Sequence, residues 1–552
     1  FIITNSSGTT SFSAILDGSV ALTKTGAGTL TLSGANTYNA GTIISAGTLA
    51  LGANNVLANT GAVSVSGGTF DIGTYSDTVA VVTLSSGSIT GTTGVLTGAG
   101  YSITNSSGTT TISAILDGSV ALTKTGAGTL TLSGANTYTG GTTLDSGATL
   151  LIDSDNALSG NQLVSNSGIL MLGNDVVLPS LTVNGNVTLA SDVKTIGSQV
   201  YNNQVTISKN QRLNPESLVD YEVLPLEITS SNNDIQFKGT LVAAANTYAI
   251  KRSLTINANN GNVRFDDRLG EESMDYCVYS ILVGCGVKNL YNLTINASSI
   301  NLNADVTTLE TQTYNAPVTI GDNGSNGTTR TLLSVDPKVE FMYSIDDGAI
   351  SNTHTLIVKA ISVTGIQKPI IQVHGAVGLS SSLLNFSAVT GMQLRGSFVG
   401  DSDQDPIRLV GDLILQGSVT TLKDQTYIAN AMQLDGSSLD STITFSSKSG
   451  KILFVVGKEF DSGISSGRLG TKVILKYSGS GSMSNESQRA LKASGLAVVL
   501  PVFDYQDAAL NNRVINDAWI DQSSNMESEV TVGAPLDDVC QPNMDCLKNA
   551  TL

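Results

Sequence analysis

Charge is the first thing this chain lacks. Asp, Glu, Lys and Arg together make up only 13% of its 552 residues. Residues 1–192 hold two cations, Lys24 and Lys124, and no Glu. A surface built there must consist of hydroxyls and amides, which suits an extracellular scaffold better than a cytosolic enzyme. The charge that is present leans acidic. A net of −17 repels nucleic acid and anionic lipid and argues against both as partners. Proline is scarce at 10 residues while Val, Ile and Leu recur throughout, so the abundance of Gly, Ser, Thr and Asn does not signal disorder. No run approaches the ~18 apolar residues of a membrane helix. No basic segment followed by an apolar one comes after Phe1, so the chain reads as processed or excised. A closing series of ~10-residue amphipathic strands, the mark of an outer-membrane barrel, is also missing.

Cysteine is sparse but arranged. Cys277 stands close to Cys285, and Cys540 close to Cys546. In a chain that looks secreted, close pairs favour two small disulfide loops. Four unpaired thiols are the alternative. Zinc is disfavoured because the two histidines, His354 and His374, lie far from either pair in sequence.

What the chain has is repetition. Residues 3–38 and 103–138 differ at two of 36 positions, Ser11 against Thr111 and Phe12 against Ile112. Inside each copy a shorter period shows: Gly28-Thr-Leu-Thr-Leu returns as Gly47-Thr-Leu-Ala-Leu and Gly68-Thr-Phe-Asp-Ile, in steps of 19 and 21 residues. Apolar and polar residues alternate within each unit, as in a strand with one buried face. Gly and Asn at the ends supply bends. The 3.6-residue period of a helix is absent. Strand, corner, strand, corner, with the next turn stacked above, predicts an all-β parallel β-helix, a solenoid whose coils satisfy one another's backbone groups. Some 23 coils at ~4.8 Å each would span on the order of 110 Å.

A second repeat begins at Val193-Lys-Thr-Ile and returns at Val306-Thr-Thr-Leu and Val419-Thr-Thr-Leu, 113 residues apart each time. It brings Gln199, Gln312 and Gln425 into register, and with them Tyr201, Tyr314 and Tyr427. Such fixed recurrence points to packing at coil corners rather than a binding ladder. Asn36, Asn136, Asn184, Asn257 and Asn296 read as corner residues bonding along the stack. Longer excursions are expected at 208–223, 264–290 and 399–408. Three segments follow: 1–192, a Gly/Ser/Thr-rich β-helix; 193–460, a β-helix with longer loops; and 461–552, an irregular C-terminal cap or anchor, where the pattern fades.

These motifs carry a family resemblance. Gly126-Ala-Gly-Thr-Leu-Thr-Leu-Ser-Gly-Ala-Asn-Thr-Tyr-Thr-Gly-Gly-Thr, with its partner at 26–42, resembles the passenger-associated repeat of bacterial autotransporters. The Val-Thr-Thr-Leu…Gln-Thr-Tyr unit resembles repeats of filamentous-haemagglutinin-type exoproteins of two-partner secretion systems. The resemblance implies a right-handed parallel β-helix, exported to the bacterial cell surface, held at the outer membrane and commonly adhesive. An autotransporter would end in its own barrel and a two-partner exoprotein would begin with an export domain. No barrel is visible, which favours the two-partner route or truncation, and no export domain is visible, which favours a C-terminal fragment. Cys540 and Cys546 resemble the terminal loop by which some adhesins stay held in an outer-membrane translocator.

Candidate chemistry is thin. Asp401, Asp403 and Asp405 alternate as in a calcium loop, but Pro406 and Asp412 stand where an EF-hand needs Gly and Glu. A looser calcium site competes with a solvated acidic loop, which is favoured. Asp153 and Asp155 form a weaker version. Arg264, Asp266, Asp267, Arg268, Glu271 and Glu272 form the densest charge cluster; a glycosidase pair needs two carboxylates ~5–9 Å apart, and adjacent residues on a strand face opposite ways. His354 and His374 read as surface or corner residues. The expectation is a non-catalytic adhesin segment with no cofactor beyond candidate calcium. Its partners would be a receptor or glycan on a host or neighbouring cell, the translocator, and further copies if it associates into fibres. A self-assembling filament is the alternative, and a carbohydrate-active enzyme the third reading.

Overall fold

The computed structural model of the chain describes residues 1–209, 225–244, 252–270, 288–321, 329–335, 338–348, 353–362, 369–394, 397–398, 411–429 and 431–434, and the strands at 442–447, 452–456, 464–466, 472–477 and 526–531. It forms two compact units. The first comprises Phe1–Gln211, Leu226–Leu241 and Ala258–Asn260; the second comprises Arg212–Pro225, Val242–Asn257 and Gly261–Leu552. Both are parallel β-helices. Among the described residues there is no α-helix, only a 3-10 turn at Ser159–Asn161, and no helix long and apolar enough to cross a membrane.

In the first unit each coil has three sides rather than the two drawn from the sequence. One side runs in parallel succession from Ile2–Thr4 through Leu22–Thr25, Thr42–Ile44 and their successors to Ile235–Phe237. A second runs from Thr9–Phe12 through Thr29–Leu32 and Thr48–Leu51 to Val205–Ile207. The third is shorter. Asp77–Gly91, Val95–Ile103 and Ile115–Asp117 pair there, while in other coils single backbone bonds such as Thr137 N to Leu116 O (2.8 Å) carry it. The alternation explains which residues fill the interior. In Thr29–Leu32, Leu30 and Leu32 point inward and are buried, and Thr29 and Thr31 face out. A period-2 pattern fits a half-buried strand.

The second unit also has three sides. One stacks Leu254–Asn257, Leu293–Asn296, Gln312–Asn315, Lys338–Phe341, Ile370–Val373, Asp412–Leu415, Ala431–Leu434 and Ile464–Ser466. Another runs from Val306–Thr308 through Thr329–Ser334, Thr355–Ser362, Asn385–Leu394 and Gln425–Ala429 to Ile452–Val456. A third begins at Asn262–Phe265 with Ser299–Leu302 and Val318–Ile320. The twenty-residue step does not persist here. Leu293 pairs with Gln312 at 19 residues, but Ile370 pairs with Asp412 at 42. Parallel stacking fixes only the strand register, so loops of any length can leave between strands. The parallel ladder continues to Lys472–Tyr477, where Met526–Thr531 adds antiparallel. An added antiparallel strand covers an edge that would otherwise stay unpaired.

Candidate functional site

Lys24 and Lys124 occupy equivalent points of the two near-identical stretches, and both are 0% exposed. Parity puts them there: Lys24 shares the inward face with Leu22, as Lys124 does with Leu122. They interrupt an otherwise aliphatic column, Lys24–Ile44–Val65–Leu84–Ile103–Lys124–Leu144. The Lys24 ammonium donates to the carbonyls of Thr25 (2.8 Å), Gly26 (2.7 Å) and Ala46 (3.2 Å). The Lys124 ammonium donates to those of Thr125, Gly126 (2.7 Å) and Asn105 (3.3 Å). Each cation thus joins its own corner to a neighbouring coil. Neither forms an ion pair among the described residues. Three carbonyl dipoles replace the lost water. Desolvation lowers both ammonium pKa values, that of Lys124 to about 8. Lys24 lies nearer the first coil and is ringed by less protein.

A titration test follows. Lys124→Met takes the ammonium away from Thr125 O and Gly126 O, while Asn105 O keeps its bond from Gly128 N (3.1 Å), and is expected to cost about 1–3 kcal/mol at neutral pH. The folded pKa of about 8 lies below the unfolded value of about 10.4. Between the two the unfolded chain binds more protons, so stability rises with pH in that window. Urea unfolding at pH 7 and about 9.5 should show the wild type gaining stability and the variant losing part of that slope. Identical slopes would refute the buried cation.

The same stretches carry paired staples. The Asn36 carbonyl Oδ1 accepts from Leu16 N (2.8 Å), while its amide donates to Val56 O (2.9 Å). Asn136 repeats this between Leu116 N (2.9 Å) and Ala157 O (2.7 Å). One side chain therefore bonds both the coil before it and the coil after it, as its sequence position suggests. Tyr38 shares a hydrogen bond with Thr42, and Tyr138 with Thr142, both inside the stack. Asn ladders recur further on, with Asn202 donating to Asn184 (2.7 Å), and Asn315 to Asn296 (2.7 Å), which donates to Asn257 (2.6 Å).

The glutamine–tyrosine repeat forms a buried relay. Gln199, Gln312 and Gln425 are each 0% exposed. Each amide donates to a threonine four residues back, Thr195, Thr308 or Thr421 (3.1, 3.1 and 3.2 Å). It also donates to a carbonyl of the next coil, on Thr229, Leu333 or Ser446 (2.8, 2.7 and 2.8 Å). Tyr201, Tyr314 and Tyr427 donate back to the glutamine oxygen (2.8, 2.9 and 2.9 Å). Burial pushes all three phenols far above their ordinary pKa, so they remain donors.

The remaining candidates divide. Cys277, Cys285, Cys540 and Cys546, the acidic run Asp401, Asp403 and Asp405, and Glu271 and Glu272 lie outside the described residues. In the charge cluster, Arg264 pairs with Asp266 (2.5 Å), whose carboxylate also accepts from Asn303 (2.8 Å), while Asp267 accepts from Arg268 N (2.8 Å). Arg264 belongs to a strand rather than an excursion. His354 is not at the surface: it is 5% exposed and bonded to the buried Asp347 carboxylate, which also accepts from Thr353 N (2.7 Å). His374 is half-buried between Gln416 (2.7 Å) and Glu340 (3.2 Å). Desolvation alone would raise the Glu340 pKa, but Lys338 and His374 outweigh it and lower it. Asp153, Asp155 and Asp175 line an open groove of about 640 Å³ with Asn156 and Asn174. Among the described residues no three His, Cys, Asp or Glu side chains are placed to hold a metal ion.

Residues 22–51 and 122–152 match the passenger-associated transport repeat. Each match contains one buried lysine, one corner asparagine and one tyrosine–threonine pair, so the resemblance read at 26–42 and 126–142 holds. No curated protein and no solved structure matches the chain.

Proposed function

We propose that the chain is a surface-exposed, non-catalytic segment of an autotransporter-type passenger, adhesive in function, with a β-helix carrying its binding loops. One observation supports this above others. The motif that matches the passenger repeat commits its Lys, Asn and Tyr side chains to bonds within and between coils, which leaves the loops as the variable surface. Passenger repeats imply export to the outside of the bacterium, so an outer-membrane translocator is the first proposed partner. A receptor or glycan on another cell is the second. Recurrence of the Thr–Gln–Tyr relay at Thr308 and Thr421 supports reading the 113-residue unit as a structural repeat of the haemagglutinin kind.

Beads coated with the purified protein are expected to adhere to cell layers, with soluble protein competing the adherence away. Adherence no greater than that of albumin-coated beads would defeat the adhesive reading. Electron micrographs of the same preparation should show discrete particles; indefinitely extended fibres would favour a filament instead.

A further inference from the structure

We propose that Asp77 is a proton-operated latch between adjacent coils of the first unit, closed when its carboxyl is neutral and loosened when it ionises. The inference is independent of adhesion. Asp77 begins the strand Asp77–Gly91, shares the inward face with Val79, and is 1% exposed. It sits in the corner column that holds Asn36 and Asn136 in other coils. That column is traced by the register Asp77↔Leu96↔Leu116 and by the bonds of both asparagines to Leu16, Val56 and Leu116.

Asparagine fits this corner because it is neutral and has two kinds of polar atom. Its oxygen takes an N–H from the preceding coil and its NH₂ gives to a carbonyl of the following one. Asp77 reproduces the first half only. Its Oδ2 accepts from Val56 N and Leu57 N, both at 2.9 Å. Its Oδ1 is buried and has no partner. A charged carboxylate therefore faces the interior with one oxygen unsatisfied, which is costly, while a carboxylic acid is the nearer mimic of asparagine.

Beyond the backbone N–H groups of Val56, Leu57 and Thr78, the surroundings give the charge no compensation. From the preceding coils Tyr38 faces it, a neutral phenol already bonded to Thr42. From the following coil comes Leu96, whose carbonyl accepts from Tyr101. The carboxylates of Asp71 and Asp117, on neighbouring strands, bond to Thr90 (3.1 Å) and Thr137 (2.8 Å) on the outward side. No cation pairs with Asp77 among the described residues. Desolvation raises its pKa against the opposing pull of the N–H donors from Leu57, Val56 and Thr78.

The sign is fixed by linkage. Between the unfolded carboxyl value near 4 and the raised folded value, the folded chain binds more protons, so stability falls as pH rises through that window. Asp77→Asn should match the wild type at acid pH and exceed it at neutral pH. The expected gap is about tenfold in the unfolding constant for each pH unit separating folded and unfolded titrations. Urea unfolding of wild type, Asp77→Asn and the exposed control Asp17→Asn across pH 4 to 8 reads this directly. A gap independent of pH, or a wild type more stable than Asp77→Asn at neutral pH, overturns the latch. Infrared spectra of the wild-type protein give a second reading that does not depend on a variant folding. A protonated-carboxyl band should survive above the pH at which exposed carboxylates have lost theirs, and its disappearance with them also overturns the latch.

Discussion

Gln312→Leu is expected to destabilise the second unit by about 3–5 kcal/mol, because one substitution orphans several buried groups at once. Leu333 O loses a donor at 2.7 Å, Thr308 Oγ1 one at 3.1 Å, and Tyr314 its acceptor at 2.9 Å. Thr308 still donates to Glu310 O (2.8 Å), so it is only half stranded. The volume is nearly kept, so the cost is polar rather than a cavity. Tyr314→Phe is the informative contrast. It leaves the ring stacked on Phe341 at 4.8 Å and 9° and removes only the donor to Gln312, for about 1–2 kcal/mol. Thermal and urea unfolding should rank Gln312→Leu well below Tyr314→Phe. Equal losses would mean that the glutamine is not the hub. A solenoid can lose coils locally, so hydrogen exchange over residues 306–334 should report the damage before the remote coils do.

Gly134→Ala is expected to cost about 3 kcal/mol or more in the first unit, although alanine normally stabilises an unstrained glycine site by about 0.4–1 kcal/mol through the unfolded chain. A Cβ there would lie 2.2 Å from Ala114 O, 2.8 Å from Ala114 C and 3.0 Å from Ser113 O. All three atoms are backbone of the preceding coil, so no side chain can swing aside. Relief would require separating two hydrogen-bonded coils. The equivalent Gly34 is similarly placed, 2.5 Å from Ala14 O. Gly108→Ala serves as the comparison. That residue has φ +63 and nothing within 4 Å, so it should show only the left-handed backbone cost of about 1–2 kcal/mol. If the two variants melt together, contact between coils does not limit this corner.

Much of the fold was readable because the β-helix writes its period into the chain. The step from Gly28 to Gly47 to Gly68 mirrors the pairing of Thr29 with Thr48 and Thr48 with Thr69. The asparagine corners and the glutamine–tyrosine pairs were readable for the same reason: they return at fixed offsets. The third side was not, because in several coils it is a backbone crossing with no apolar pair to mark it. Lys24, Lys124 and Asp77 do carry a usable signal, their parity. In Leu22-Thr-Lys24 and Asp77-Thr-Val79 the charged residue has the parity of the apolar one, which places it inside. The prior that charges stay outside concealed them. Burial of His354 had no such signal, since its partner Asp347 lies seven residues away in sequence.

The near-identity of residues 3–38 and 103–138 has a consequence for how the molecule can change. A crossover at any matching point of the two copies would delete or add one hundred residues and leave the seam with a sequence the protein already uses. Lys24 would be exchanged for Lys124, and Asn36 for Asn136, with the contacts on either side retained in kind. Reach can therefore be altered by whole blocks in a single genetic event, without a new interface having to be invented.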